Sequence, residues 1–368
     1  MKKIALIILA VLMLSSLCLP AAAEEAGHNH KYRFDYIVRS EDGSRVESFG
    51  IFCEDCDEVI HIKTGAEVIN YSISQNGWGT GGKTTWFFID GLVSLKDPVR
   101  IYGTVNLVLL DKALLICESG IHVFDNGTLN IYSEHLDYSP AGEENTMGSI
   151  RSYAKDATGT ASAIGGLQNE KNVTVNIFGG DIYAYSDGDG AAIGSGKGGA
   201  AVVNIYGGKV RAESVGLGAG IGGGYDYSDV ELNFYGGIVQ ASNADRYAFS
   251  IGKGFWECHA KVGFFGGYVY GKPRTVYSLY EAGITADSIE SAKEAKKIGN
   301  TDGIYDSEGL ALARQAGWID DSGYPVGSVV GAGNWRIAAA VGAAAVIAAA
   351  VLVIVKKKKK AAGIKEDE

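Results

Sequence analysis

Across the middle of the chain, apolar residues alternate with polar or aromatic ones in short bursts. Val173, Val175 and Ile177 alternate with Thr174, Asn176 and Phe178. The same beat returns at Ala201, Val203 and Ile205, at Val230, Leu232 and Phe234, and at Ala260, Val262 and Phe264. A period of two over β-branched and aromatic residues predicts strands with one set of side chains inward and the other outward. Each burst ends in a Gly-Gly pair, which predicts a corner because glycine takes positive φ without a Cβ clash. A second short strand is expected after each corner, with Ile182 and Ala184, Val210 and Ala212, and Val239 and Ala241 inward.

The bursts are copies of one phrase. NIFGG at Asn176, NIYGG at Asn204, NFYGG at Asn233 and GFFGG at Gly263 follow at intervals of 28, 29 and 30 residues. A second marker keeps step: Ile164, Ile193, Ile221 and Ile251, each followed by glycine, are spaced 29, 28 and 30. Two markers on one period predict a solenoid, and three short strands per turn predict an all-β parallel β-helix that buries each inward row only by stacking coils. The phrase extends backwards to Ile101-Tyr102-Gly103 and Asn130-Ile131-Tyr132. From Ile131 to Ile177 the step is 46, so one coil plus extra residues is expected, with the surplus in a loop over 133–159.

The outward positions predict a candidate ligand-binding surface. With Ile177, Ile205, Phe234 and Phe264 inward, Phe178, Tyr206, Tyr235 and Phe265 form an outer column that Tyr102 and Tyr132 are expected to continue, beside Asn176, Asn204 and Asn233. Strands on adjacent coils lie about 4.8 Å apart, which makes a stripe of aromatics along the axis. Such a stripe has two uses. It stabilises the sheet, or it stacks on the C–H faces of sugar rings while the amides bind hydroxyls. A polysaccharide or a host or cell-surface glycan is the partner that this surface suggests.

The ends of the chain suggest a compartment. Lys2 and Lys3 precede an apolar run from Ile4 to Leu19, and Ala21-Ala22-Ala23 supplies small residues, as in a secretory signal peptide over 1–23. Ile337 to Val355 is an uncharged run of 19 residues. At the helical rise it spans about 28 Å, enough for a bilayer's hydrocarbon core. Lys356 to Lys360 follow and place the tail inside by the positive-inside rule. The expectation is a single-pass type I protein of the cell membrane with its bulk extracellular. A wall-sorting pentapeptide is poorly matched by Tyr324-Pro325-Val326-Gly327-Ser328, which favours membrane retention.

Charge narrows the partners. Between the signal and the tail, 25 basic residues face 40 acidic ones, a balance of −15 that repels nucleic acid. Of the cysteines there, Cys117 and Cys258 read as small buried hydrophobes. Cys53 and Cys56 form a CxxC that follows His28 and His30. This set suggests a structural zinc site, a disulfide or free thiols. Acidic turns at Asp187 and Asp189 and at Asp226 and Asp229 are candidates for calcium. Together with His135, Asp137, Glu143, Glu144 and Arg151 they are also the candidates for catalysis, but no dense constellation of carboxylates and basic residues forms across consecutive coils.

The organisation expected is a signal peptide over 1–23, a small N-terminal β module over 24–66 and the β-helix over 67–275. A helical cap and flexible stalk follow over 276–335, then a transmembrane helix over 336–355 and a basic tail over 356–368. In the cap, Asp287 to Lys297 and Ser307 to Trp318 read as short helices, the second closed by Gly317.

The alternating AIGG and NIYGG phrases, preceded by Thr85 to Leu95 and Val99 to Tyr132, resemble Gly-rich β-helix surface proteins of Firmicutes described as carbohydrate-binding-domain-containing. The resemblance implies a right-handed β-helix like that of pectate lyases and a place on a Gram-positive cell surface, and brings no catalytic residues. A membrane-anchored, adhesin-like glycan binder is the function expected. A membrane-tethered polysaccharide lyase or glycoside hydrolase and a structural spacer of the envelope are the alternatives.

Overall fold

The computed structural model describes residues 32–53, 59–70, 77–124, 126–139, 146–154, 159–245, 247–272, 296–298 and 303–319. Within them the alternating bursts form a parallel solenoid with three faces. The phrase face stacks the later parts of β4 (Gly77–Ile89) and β6 (Val99–Leu109), then β9 (Thr128–Ser133), β12 (Val173–Ile177), β15 (Ala200–Ile205), β18 (Asp229–Phe234) and β21 (His259–Phe264).

After the corner comes a second face: β5 (Leu92–Leu95), β7 (Leu114–Cys117), β10 (Ser149–Ala154), β13 (Asp181–Ser186), β16 (Lys209–Ser214), β19 (Ile238–Asn243) and β22 (Tyr268–Lys272). The third face stacks the start of β6 with β8 (Ile121–Val123), β11 (Ile164–Gly166), β14 (Ile193–Gly194), β17 (Ile221–Gly222) and β20 (Ile251–Gly252). The second glycine of each phrase turns the corner with positive φ, 103° at Gly180, 88° at Gly208, 76° at Gly237 and 94° at Gly267.

The inward rows are the core expected from the alternation. Ile121, Ile164, Ile193, Ile221 and Ile251 form one fully buried column, and Ile182 with Ala184 and Val210 with Ala212 belong to another. Buried serines settle carbonyls at the bends: Ser186 Oγ donates to Gly190 O and Ser214 Oγ to Gly218 O, both at 2.7 Å. Cys117 and Cys258 are buried free thiols, in keeping with their reading as small buried hydrophobes. Burial pushes the Cys117 thiol far above the usual range, so it stays protonated and inert.

Two expectations about register need correction. Ile131 pairs with Leu107, and Tyr132 with Val108, so Ile101 and Tyr102 are not the preceding copy of the phrase. Ile101 pairs instead with Val123 on the third face. The early coils are short: Trp86, Asn106 and Asn130 occupy successive rungs, 20 and 24 residues apart, so a step of 30 overshoots. Gly103, at φ 69°, bends β6 so that one strand serves two faces; a Cβ there would strike the Thr80 carbonyl.

The surplus between Ile131 and Ile177 is also smaller than a loop over 133–159. Ser149–Ala154 within it is β10, an in-register rung of the second face between β7 and β13.

At the N-terminal end, β1 (Tyr32–Arg39), β2 (Arg45–Cys53) and β3 (Val59–Ile69) pair antiparallel, and β3 joins β4 in parallel through Glu67, Val68 and Ile69. This module lies across the outer side of the phrase face. Phe34, Phe49 and Ile51 pack with Phe88, Val108 and Tyr132 in a second hydrophobic core. At the other end, β23 (Lys296–Ile298) and β24 (Gly303–Tyr305) form antiparallel pairs that cover the edge of β22.

The helix α1 (Ser307–Gln315) follows and ends before Gly317, at φ 66°, as expected. Its cap Asp306 accepts from Gly309 N at 2.7 Å and from Gly267 N at 3.1 Å, which ties the helix to the last corner. The expected first helix is corrected where it is described: Lys296 and Lys297 are in a strand, and 287–295 lie outside the described residues. Among the described residues no helix is long and apolar enough to cross a membrane; 1–23 and 336–355 lie outside them.

Candidate functional site

The aromatic column exists from Tyr132 onward. Tyr132 stacks on Phe178 at 4.6 Å between ring centroids, Phe178 on Tyr206, Tyr206 on Tyr235 and Tyr235 on Phe265 at 4.7 Å, with planes within 3–11° of parallel. That geometry follows from the strand spacing, which sets identical positions one ring thickness plus a small offset apart. It also spends the rings' faces on each other. No sugar fits between planes 4.7 Å apart, so the interior rungs offer edges and hydroxyls only. Tyr132 is 5 % exposed beneath the N-terminal module, while Phe265, the last rung, is 37 % exposed. Tyr102 is outside the column and stacks on Phe124 at 4.7 Å.

The amides beside the column form a ladder of their own. Asn130 Nδ2 donates to Asn106 Oδ1 and Asn176 Nδ2 to Asn130 Oδ1 at 2.7 Å, Asn204 to Asn176 at 2.8 Å and Asn233 to Asn204 at 2.9 Å. Gly263 ends it. Burial raises the Tyr206 hydroxyl to about 12, with the neighbouring Tyr235 a smaller cause, so it remains a neutral donor at physiological pH. Removing one interior rung breaks two aromatic pairs worth about 0.5–1.5 kcal/mol each. Tyr206→Ala is therefore expected to cost about 1–3 kcal/mol, read as a lower urea midpoint by circular dichroism.

The second face is arranged differently. Its outward columns run Arg151, Tyr183, Arg211, Gln240 and Tyr153, Tyr185, Glu213, with Asp181 and Lys209 at the corner side. Arg151 Nη1 donates to Asp181 O at 2.8 Å and to Asp181 Oδ1 at 3.2 Å, and Tyr183 Oη donates to Glu213 Oε2 at 3.0 Å. Burial, opposed by the Tyr183 hydrogen bond and by Arg211, pushes the Glu213 carboxyl up. The Tyr153 ring meets Tyr183 at 6.1 Å and 65°, and Tyr185 at 6.5 Å and 54°, so these rings do not cover one another face to face. Arg151, Tyr153, Asp181, Tyr183 and Glu213 are all half-buried. Trp318, from the segment after α1, packs under the Arg211 guanidinium at 4.4 Å and bounds this face towards the C-terminal coils.

An arm after β9 bounds the same face along the corner. A Cβ on Gly179 would meet Leu136, Tyr138 Oη accepts from Gly208 N at 3.0 Å, and Lys209 Nζ donates to Ser139 O at 2.8 Å. Asp137 organises the arm by accepting from Ser139 N and Thr146 N, each at 2.8 Å. The Ser139 side chain first, then the Ser139 and Thr146 amides and the charge of Lys209, hold its carboxyl down at about 2. A carboxyl depressed in the folded state stabilises it above the ordinary carboxylate range, and that contribution is lost as pH falls from about 4 to about 2. Protection of the arm's amides, relative to their intrinsic exchange rate at each pH, is expected to fall in that window and, in Asp137→Asn, to be low already at neutral pH.

Compared with protein families, with curated proteins and with solved structures, the chain matches none.

Of the metal candidates, His28, His30 and Cys56 lie outside the described residues, as does the Cys53 side chain. In the acidic turns, Asp189 is paired with Lys197 at 3.0 Å. The second strands expected after the corners do not by themselves join Arg151 and Tyr153 to this face, because both fall within the loop expected over 133–159. Its signal is in the chain, since SIRSYA, DIYAYS and KVRAES share one alternation of small apolar and large polar positions.

Proposed function

We propose that this chain is an exported, membrane-anchored solenoid of a bacterial surface that binds glycan on its second face, around Arg151, Tyr153, Asp181 and Tyr183. The observation that carries the reading is the contrast between two aromatic surfaces. The rings of the column face one another, whereas Tyr153 and Tyr183 meet at a steep angle beside a guanidinium and carboxylates. Sugars need ring surface together with donors and acceptors for hydroxyls, and on the second face rings that do not stack on one another stand beside such groups, which supports the reading. Asp181 is engaged by Arg151 and Glu213 by Tyr183, which favours binding over hydrolysis by two free carboxyl groups.

The apolar run over 337–355 with its lysine block supports the anchor. The Gly-rich phrases support kinship with Firmicutes surface solenoids of right-handed twist, and the −15 balance disfavours nucleic acid. A glycan array with the full-length chain tests the reading. Binding that falls at least tenfold in Tyr183→Ala and Arg151→Ala, yet persists in Tyr235→Ala, is expected. Loss in Tyr235→Ala alone would move the site to the column, and no binding to any glycan would leave the spacer role.

A further inference from the structure

We propose that Asp111, Glu134 and His135 bind one divalent cation of the zinc class. Asp111 follows β6, and Glu134 and His135 follow β9 one coil later, where Leu109 and Ser133 are register partners. A 24-residue coil therefore brings together groups that the sequence holds apart. One donor atom from each side chain lies within 4.8 Å of the other two. His135 Nδ1 is 3.0 and 2.9 Å from the two Asp111 oxygens. Glu134 Oε2 accepts from Asp111 N at 3.0 Å, and Glu134 N donates to Leu109 O at 2.9 Å, so both backbones at the site are fixed.

Zinc bonds of about 2.0–2.2 Å in a tetrahedron set donor atoms about 3.3–3.6 Å apart, so the trio closes on an ion by small side-chain adjustments. The ion would sit where His135 Nδ1 and the Asp111 carboxylate now meet at hydrogen-bond distance. Two carboxylates facing a single imidazole also leave negative charge that a doubly charged ion neutralises. One nitrogen and two oxygens favour zinc over calcium, which takes six to eight oxygens, and over magnesium, which keeps its waters. The His135 side chain is 60 % exposed and that of Asp111 35 %, which leaves the fourth position to water.

The position gives the ion a consequence. It pins the root of the arm to the coil beneath it, and the arm carries the Tyr138 and Ser139 contacts that border the second face. Metal occupancy then orders one wall of that face. This inference stands on the trio alone and does not require that a glycan binds.

The test is zinc titration of the full-length chain after chelator treatment, by calorimetry and by metal content after dialysis, with calcium titrated in parallel. The double variant Asp111→Asn/His135→Ala is expected to lose one zinc per chain or to bind it at least tenfold more weakly, and His135→Gln to do the same with an unchanged circular dichroism spectrum. Zinc should slow hydrogen exchange over 134–139 in the parent chain and in neither variant. Equal zinc binding by parent and variants overturns the proposal, as does zinc lost only from Cys53→Ser/Cys56→Ser. Calcium bound at the trio in preference to zinc overturns the assignment of the ion.

Discussion

Gly194→Ala is expected to disrupt the solenoid, at a cost of about 3–6 kcal/mol, whereas Gly252→Ala costs about 1–3 kcal/mol. Both glycines follow the isoleucine of the third face and hold backbone that L residues rarely adopt, with φ 137° and 123°. What differs is the space above. A Cβ on Gly194 would sit inside the Gly222 carbonyl of the next coil, and Gly165 and Gly222 are blocked in the same way by Gly194 and Gly252. Gly252 is on the last rung described, where the nearest atom to an added Cβ is Ala260 Cβ at 4.0 Å. The first substitution pays for backbone strain and for separating two coils, the second for strain alone. Because each coil is stabilised by its neighbours, a break at β14 is also expected to split unfolding into two steps. Urea denaturation followed by circular dichroism reads both. Equal midpoints for the two variants would show that coil contact at this glycine contributes nothing.

Phe49→Ala is expected to unfold the N-terminal module while the later coils stay folded. Phe49 is fully buried and meets Trp86 at 4.7 Å, Phe34 at 5.5 Å and Phe88 at 5.6 Å, so its removal costs about 3–5 kcal/mol. Its core is separate from that of the solenoid: Phe34, Val46 and Ile51 pack on outward side chains of the first rungs, not on the inward columns. Loss of the module uncovers Phe88, Val108 and Tyr132. Hydrogen exchange by segment should therefore show β1 to β3 losing protection while β12 to β19 keep theirs, with increased binding of an apolar dye. Uniform loss of protection along the chain would mean that the module and the coils fold as one unit.

Much of this architecture was legible because a solenoid writes its core as a period. The inward residues of β12, β15, β18 and β21, the glycine corners and the isoleucine column all follow from alternation and spacing. The early coils resisted because their lengths change from 20 to 24 residues, and a chance Ile-Tyr-Gly at Ile101 imitates the phrase on another face. The ladder asparagines were visible as an outward column, but a sequence does not say whether amides turn to solvent or to each other. Here each donates to the amide of the coil before it. The trio of Asp111, Glu134 and His135 had no local signature, since its two halves meet only through coil length.

The two aromatic surfaces make opposite claims on a bound sugar, and hydroxyl-radical footprinting separates them residue by residue. The full-length chain is oxidised with and without the best-bound glycan of the array. Oxidation of Tyr153 and Tyr183 is expected to fall several-fold on binding while that of Tyr206, Tyr235 and Phe265 stays unchanged. Protection of Tyr235 and Phe265 with no change at Tyr153 and Tyr183 would contradict the account and return the binding site to the column.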